Sequence, residues 1–166
     1  AREGLARLEH LVVQDIFLTE TAFHADVVLP ASAWPEKDGT VTNTNRQVQI
    51  GRKALKTPGD ARQDWWIIQE IATRIGLDWT YTHPSDVFAE MSEIMPSFNN
   101  ITWDRLSRES AVTYPCDAPN DPGNEIVFAE DFPTPSGRGK LVGAEVIPPD
   151  EMPDVEYPMI LTTGRQ

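Results

Sequence analysis

Leu8 to Gln14 (Leu-Glu-His-Leu-Val-Val-Gln) is an apolar run with few polar interruptions and predicts a buried parallel strand, with Asp15 following at its C-terminal end. Thr19 to Ala25 predicts a short helical turn with hydroxyl residues available as N-caps. Asp26-Val-Val-Leu-Pro30 is a second short β-rich run, ended by proline. Two strands bridged by a short helix make a compact piece of a doubly wound sheet, so the fold class expected is α/β. Ala31 to Pro58 is punctuated by Pro35, Gly39, Gly51 and Pro58 and reads as loop. Asp60 with Gln63 has the spacing of a capping box, and Gly76 stands where a helix would end. Between them Trp65, Ile68, Ile71, Ala72 and Ile75 recur at helical spacing and predict a core-facing stripe. A second helix follows Pro84, with Ser85 as its cap and Val87, Phe88, Met91, Ile94 and Met95 as its apolar face. Trp103 to Glu109 predicts one more short helix, and Tyr114 to Pro122 reads as irregular. Strands are expected at Glu125–Ala129 and Lys140–Gly143, around a Pro/Gly turn at 133–139. A proline-stiffened linker at 148–153 then precedes a strand at Met159–Thr162.

Composition narrows the class of protein. With 166 residues, 40% of them hydrophobic, the chain can build a real core. No apolar run approaches the length needed to span a membrane, and the N-terminus lacks the apolar stretch of a signal peptide. Membrane insertion is therefore not expected. The absence of an initiator Met, and a final strand that runs into a loop and stops, read as a piece cut from a longer polypeptide. A net charge of −12 argues against nucleic acid as a general partner. The charge is uneven: Lys37, Arg46, Arg52, Lys53, Lys56 and Arg62 face only Asp38 and Asp60, so this window carries +4 and the rest −16 of the total −12. Such an island suits either an anionic ligand or a plain solvated loop. Cys116 stands alone, which excludes an internal disulfide or an iron–sulfur cluster held by this chain.

Four places have chemistry worth following. Asp15, at a strand's carboxyl end, is where open α/β sheets bind ribose hydroxyls, although such residues often only cap the next turn. The segment Glu36 to Gln49 combines Gly39 with Thr40, Thr42, Asn43, Thr44 and Asn45 and with the cations Lys37 and Arg46. It suits a pyrophosphate or a sugar, and equally a polar hairpin. Asp64, near the start of the helix, either interacts with the helix dipole or accepts two hydrogen bonds from a guanine edge. Thr162-Thr-Gly-Arg165 sets a hydroxyl, a glycine and an arginine after a strand, which suits an anion-facing loop. His10, His24 and His83 lie far apart without metal-ligand spacing, and no catalytic triad is readable, so no catalytic or metal-binding residue is assigned.

The segment Thr19-Glu-Thr-Ala-Phe-His-Ala-Asp-Val-Val-Leu-Pro-Ala-Ser-Ala-Trp-Pro-Glu-Lys-Asp-Gly-Thr-Val-Thr-Asn-Thr-Asn-Arg-Gln-Val-Gln49, continued by Pro58-Gly-Asp-Ala-Arg-Gln-Asp-Trp65, resembles the molybdopterin oxidoreductases, and its wording is nearest the formate dehydrogenases. Tyr157 to Arg165 resembles the first strand of that family's C-terminal β-barrel domain. The resemblance implies a Rossmann-like, doubly wound α/β domain over 1–110, an irregular connection over 111–154 and the start of the barrel domain over 155–166. It implies a bis-molybdopterin guanine dinucleotide with molybdenum. Gln14 and Asp15 would meet the guanosine ribose, Lys37 the phosphate or pterin side, Asp64 the guanine, and Thr163, Gly164 and Arg165 the second pterin. The parent would be a cytoplasmic enzyme oxidising formate to carbon dioxide. Two electrons would pass through iron–sulfur clusters outside this chain to a partner bearing flavin and NAD. The isolated chain would be inactive. Related alternatives are a nitrate reductase-type molybdoenzyme or a non-catalytic scaffold in the large subunit of an NADH dehydrogenase.

Overall fold

The computed structural model describes residues 2–162 and Gly164. The chain forms two units, Ala1–Val127 and Phe128–Gln166. In the first, the β-branched pairs Val12-Val13 and Val27-Val28 seed two parallel strands, β1 (Val12–Asp15) and β2 (Val27–Pro30). Val12 lies opposite Val27 and Asp15 opposite Pro30. β1 starts later than its apolar run because residues before it are taken up by a helical turn, α1 (Arg2–Leu5), which Leu8 N–H extends by donating to Leu5 O at 3.2 Å. The expected turn between the strands is a 3₁₀ turn at Ala22–His24, where the Thr19 hydroxyl accepts from Ala22 N–H at 3.4 Å.

The long helix α2 (Asp64–Arg74) begins later than the capping-box reading placed it. Arg62 is held extended beside β2: its N–H donates to Pro30 O at 3.0 Å, and its carbonyl accepts from Ser32 N–H at 2.8 Å. A helix cannot start until that bridge ends. Gln63 becomes the N-cap without a side-chain cap bond, its Oε1 accepting instead from Trp65 Nε1 at 2.8 Å. The C-terminal reading holds. Gly76 has φ +92, Gly76 N–H donates to Thr73 O and Leu77 N–H to Ala72 O, closing a Schellman turn. The expected apolar stripe is corrected. Ile67 and Ala72 are the buried residues of α2, whereas Ile68, Ile71 and Ile75 remain 46–72% exposed.

The polar-hairpin reading of Glu36 to Gln49 is met: β3 (Gly39–Thr42) pairs with β4 (Gln47–Gly51), antiparallel, and β5 (Ala111–Thr113) lies along the other side of β4. Its signal was the alternation in Gln47-Val-Gln-Ile50, which sends Val48 into the core opposite Val112. Helices α3 (Pro84–Ile94) and α4 (Trp103–Glu109) pack on this sheet. The core holds Val48, Phe88, Phe98, Ile101, Leu106, Val112 and Cys116, with Phe88 edge-on to both Phe98 and Trp103. The α3 cap is His83, not Ser85. Pro84 takes the first helical position, so Ser85 already lies inside the turn and donates its N–H to His83 Nδ1 at 3.1 Å. The Asp86 carboxylate accepts in return from Thr82 and His83 N–H, and these bonds hold its pKa below the usual carboxylate value.

In the second unit the backbone bonds are local, such as Gly137 N–H to Thr134 O at 2.9 Å. Phe128 stacks on Phe132. The strands expected at Glu125–Ala129, Lys140–Gly143 and Met159–Thr162 are not formed among the described residues, because no neighbouring strand supplies hydrogen-bond partners there. No helix among the described residues is long and apolar enough to cross a membrane.

Candidate functional site

Three of the residues singled out from the sequence meet at the start of α2. Asp64 opens the helix, Gln14 comes from β1, and Lys37 follows the 3₁₀ turn Trp34–Glu36. Gln14 Nε2 donates to Asp64 Oδ1 at 2.8 Å, and the Lys37 ammonium donates to Asp64 Oδ2. Lys37 Nζ also donates to Ser32 O at 3.0 Å. The turn that aims Lys37 is closed by Glu36, whose carboxylate accepts from Ala33 N–H at 2.9 Å. Beneath it lies Ser32, almost wholly buried, whose hydroxyl has no hydrogen-bond partner among the described residues.

Burial alone would raise the pKa of Asp64. The hydrogen bonds from Lys37 and Gln14 and the Lys37 charge outweigh that effect, and the carboxyl is held below its usual range. It is therefore a fixed anion at neutral pH. Each carboxylate oxygen retains a lone pair, and Lys37 retains one N–H. The cluster presents oriented acceptors and a donor on a pair whose charges cancel.

Asp15 and Arg46 lie apart from this cluster. Asp15 is the next residue of β1 after Gln14, so its side chain leaves from the opposite face of the strand, and its Oδ1 accepts from Phe17 N–H at 3.1 Å. Gly164 belongs to the second unit, and Thr163 and Arg165 lie outside the described residues. Arg46, grouped by sequence with Lys37 as a phosphate partner, is committed elsewhere. Its guanidinium donates to the carbonyls of Tyr114, Asn124 and Glu125 and lies over the Tyr114 ring. Lys37 itself borders a cavity of about 310 Å³ beside the hairpin, with Trp34, Asp38, Thr40 and Thr42. Ser32 and Glu36 were missed by sequence reasoning. The small-residue run Ala31-Ser-Ala33 just beyond a strand ended by proline was the available signal.

Comparison with known proteins gives this cluster a context. Residues 1–74 match the family model described as molybdopterin oxidoreductase. The F420-dependent formate dehydrogenase subunit alpha of Methanocaldococcus jannaschii is 47% identical over 98% of this chain and 24% of its own length. The F420-dependent formate dehydrogenase 2 subunit alpha of Methanococcus maripaludis is 46% identical over the same shares. The chain thus spans about a quarter of the length of these relatives. Among solved structures, acetylene hydratase from Pelobacter acetylenicus superposes with a TM-score of 0.57 at 24% identity, over 83% of this chain and 18% of that one. That likeness supports the mixed α/β fold. The molybdopterin oxidoreductase family model thus accounts for residues 1–74, and nearly the whole chain is similar to a stretch of formate dehydrogenase alpha subunits.

Proposed function

We propose that this chain is a cofactor-holding part of a formate dehydrogenase alpha subunit, and that the Gln14–Asp64–Lys37 cluster holds the nucleotide end of a molybdopterin guanine dinucleotide. The observation that carries this reading is Asp64, kept ionised at a helix start with acceptor capacity to spare. A guanine edge presents adjacent N–H donors, and a fixed carboxylate is their complement. Lys37 has one N–H left for a ribose or phosphate oxygen, and the Ser32 hydroxyl beneath it marks polar capacity that the described residues do not use. These donors and acceptors fit the group. Asp15 is proposed for the ribose side, and Thr163, Gly164 and Arg165 for the second pterin. When bound, the molybdenum–pterin group supplies the two-electron redox chemistry. The contribution of this chain is to bind and orient its nucleotide end.

The parent polypeptide is proposed to oxidise formate to carbon dioxide, with iron–sulfur clusters outside this chain carrying the electrons away. The Rossmann-like and barrel assignments and the cytoplasmic location belong to the same proposal. The acceptor expected from the sequence alone was NAD. The relatives named for F420, at 46–47% identity, favour F420 instead. The test uses the full-length polypeptide. Formate-dependent reduction of F420 and of NAD is compared, and guanine nucleotide and molybdenum are measured after denaturation. Asp64→Asn is expected to lower nucleotide content about tenfold or more, since a bidentate polar contact of this kind is worth about 1–3 kcal/mol. Undiminished nucleotide in that variant, in a protein that still folds, rejects the site assignment. Formate-dependent dye reduction by the 166-residue chain alone would reject the expectation that this part is inactive by itself.

A further inference from the structure

The loop that follows the β3–β4 hairpin is tied to the turn that carries Lys37. Pro35 O accepts from Ala54 N–H at 2.7 Å and from Leu55 N–H at 2.8 Å. Glu36 O accepts from the Thr57 hydroxyl at 3.2 Å, and Asp38 Oδ1 accepts from Lys53 N–H at 2.8 Å. Residues on both sides of Lys37 in the chain are therefore bonded to the 53–57 loop. The Glu36 carboxylate holds the start of the same turn through Ala33 N–H, and Glu36 N–H donates to Ala33 O at 3.0 Å. In sequence the loop belongs to the basic island, yet its cations are not what grips the turn. The contacts come from backbone N–H groups and one hydroxyl. Arg52 donates to Ser107 O at 3.2 Å, and Lys53 Nζ donates to Thr57 Oγ1 at 3.4 Å, behind the hydroxyl that holds Glu36.

We infer that Thr57 and Glu36 are positioning residues of the candidate site, which act through Lys37, and that the basic loop serves the site by bracing this turn rather than by its charge. A lysine ammonium is a point charge on a flexible four-carbon stem, so where it stands depends on how firmly its backbone is held. Lys37 is shared between Ser32 O and the Asp64 carboxylate, which fixes the direction of its remaining N–H. If the turn shifts, that N–H no longer meets the ligand oxygen, and Asp64 loses the partner that keeps it ionised. Thr57 and Glu36 are both half-buried, and each spends its polar atoms on the turn. The inference rests on the reading of Lys37 as part of a nucleotide-holding cluster.

The test follows release of guanine nucleotide from the full-length polypeptide, purified with its cofactor bound and then diluted. Lys37→Met removes a charged donor and is expected to speed release about tenfold or more. Thr57→Val keeps the side chain's shape without the hydroxyl, and it and Glu36→Ala are each expected to speed release about fivefold. Thr57→Ser and Glu36→Gln keep the donor and the acceptor, and should stay within about twofold of the parent. In a Lys37→Met background, Thr57→Val and Glu36→Ala should each add less than about twofold, because the side chain they position is gone. Lys56→Gln removes a charge from the same loop and none of these bonds, and should release nucleotide as the parent does. Effects of Thr57→Val and Glu36→Ala that persist in full without Lys37 overturn the inference, since both residues would then act on packing in general. Release at the parent rate from both single variants overturns it too, and so does faster release from Lys56→Gln, which would assign the loop's effect to its charge. Those failures leave the nucleotide reading standing. Release at the parent rate from Lys37→Met rejects that reading, and this inference with it.

Discussion

Replacing Arg46 separates two roles that sequence alone leaves open. If it is a phosphate partner, Arg46→Ala should empty the cofactor site and barely affect folding. The structure requires the reverse. The guanidinium binds the carbonyls of Tyr114, Asn124 and Glu125, at 2.7 and 2.6 Å for the last two, and holds the 114–125 loop against β4. Hydrogen bonds from a charged donor are worth about 1.5–3 kcal/mol each in protected settings. The Asn124 and Glu125 bonds are solvent-exposed, so the three together are expected to be worth about 2–4 kcal/mol, with a Tm loss of about 2–4 °C per kcal/mol in a chain of this size. Arg46 also sits at φ +65, a strained backbone for an arginine. Arg46→Gly loses the same bonds but relaxes the backbone, and should recover about 1 kcal/mol relative to Arg46→Ala. Urea unfolding of both variants in cofactor-free protein gives the comparison. The reasoning fails if Arg46→Ala stays within about 0.5 kcal/mol of the parent. It fails equally if the alanine and glycine variants are indistinguishable.

Two further substitutions probe neighbouring parts. At Gly123, φ is +88 and an added Cβ would lie 1.7 Å from Thr113 O, a backbone atom, so Gly123→Ala must displace the 114–125 loop. A loss of more than about 3 kcal/mol, or failure to fold, is expected, and circular dichroism melts of the variant check it. His83→Ala removes the α3 cap and should cost about 1 kcal/mol, while His83→Asn or His83→Asp should retain most of the stability. Equal melting temperatures for His83→Ala and His83→Asn would show that the cap is not made.

What could be read from the chain depended on how local its determinants are. Trp103–Glu109 and the Gly76 terminus follow from residues adjacent in sequence, and both were legible. The late start of α2 depends on Arg62 pairing with a strand far back in the chain, so a local capping signal at Asp60 misled. The stripe on α2 held as a burial statement at Ala72 but not at Ile68, Ile71 and Ile75, because burial needs a partner surface that periodicity does not supply. The same holds for Met159–Thr162, whose apolar residues carry strand propensity but gain no neighbouring strand among the described residues. At the candidate site, Lys37 and Asp64 were singled out for their chemistry, but that they bond each other, and that Arg46 leaves the site, required the three-dimensional arrangement.

The pairing of Lys37 with Asp64 changes what kind of recognition this site can offer. A lone lysine in a basic island attracts phosphate, whereas a lysine already neutralised by a carboxylate adds little long-range attraction. What remains is a hydrogen-bonding pattern, weakly dependent on charge, of the kind the proposed base-edge contact needs. Protonation state then becomes the control. The folded Asp64 carboxyl lies below its unfolded value of 3.8, so the stability it contributes is complete above pH 3.8 and is lost as pH falls through the lower folded value. The stability difference between the parent and Asp64→Asn should accordingly be flat from pH 5 to 7 and shrink below pH 3.8, as followed by urea unfolding at each pH. A difference that changes between pH 5 and 7 instead would mean that another group sets the ionisation of this cluster. Asp64 would then lose its standing as the fixed acceptor on which the proposed guanine contact depends.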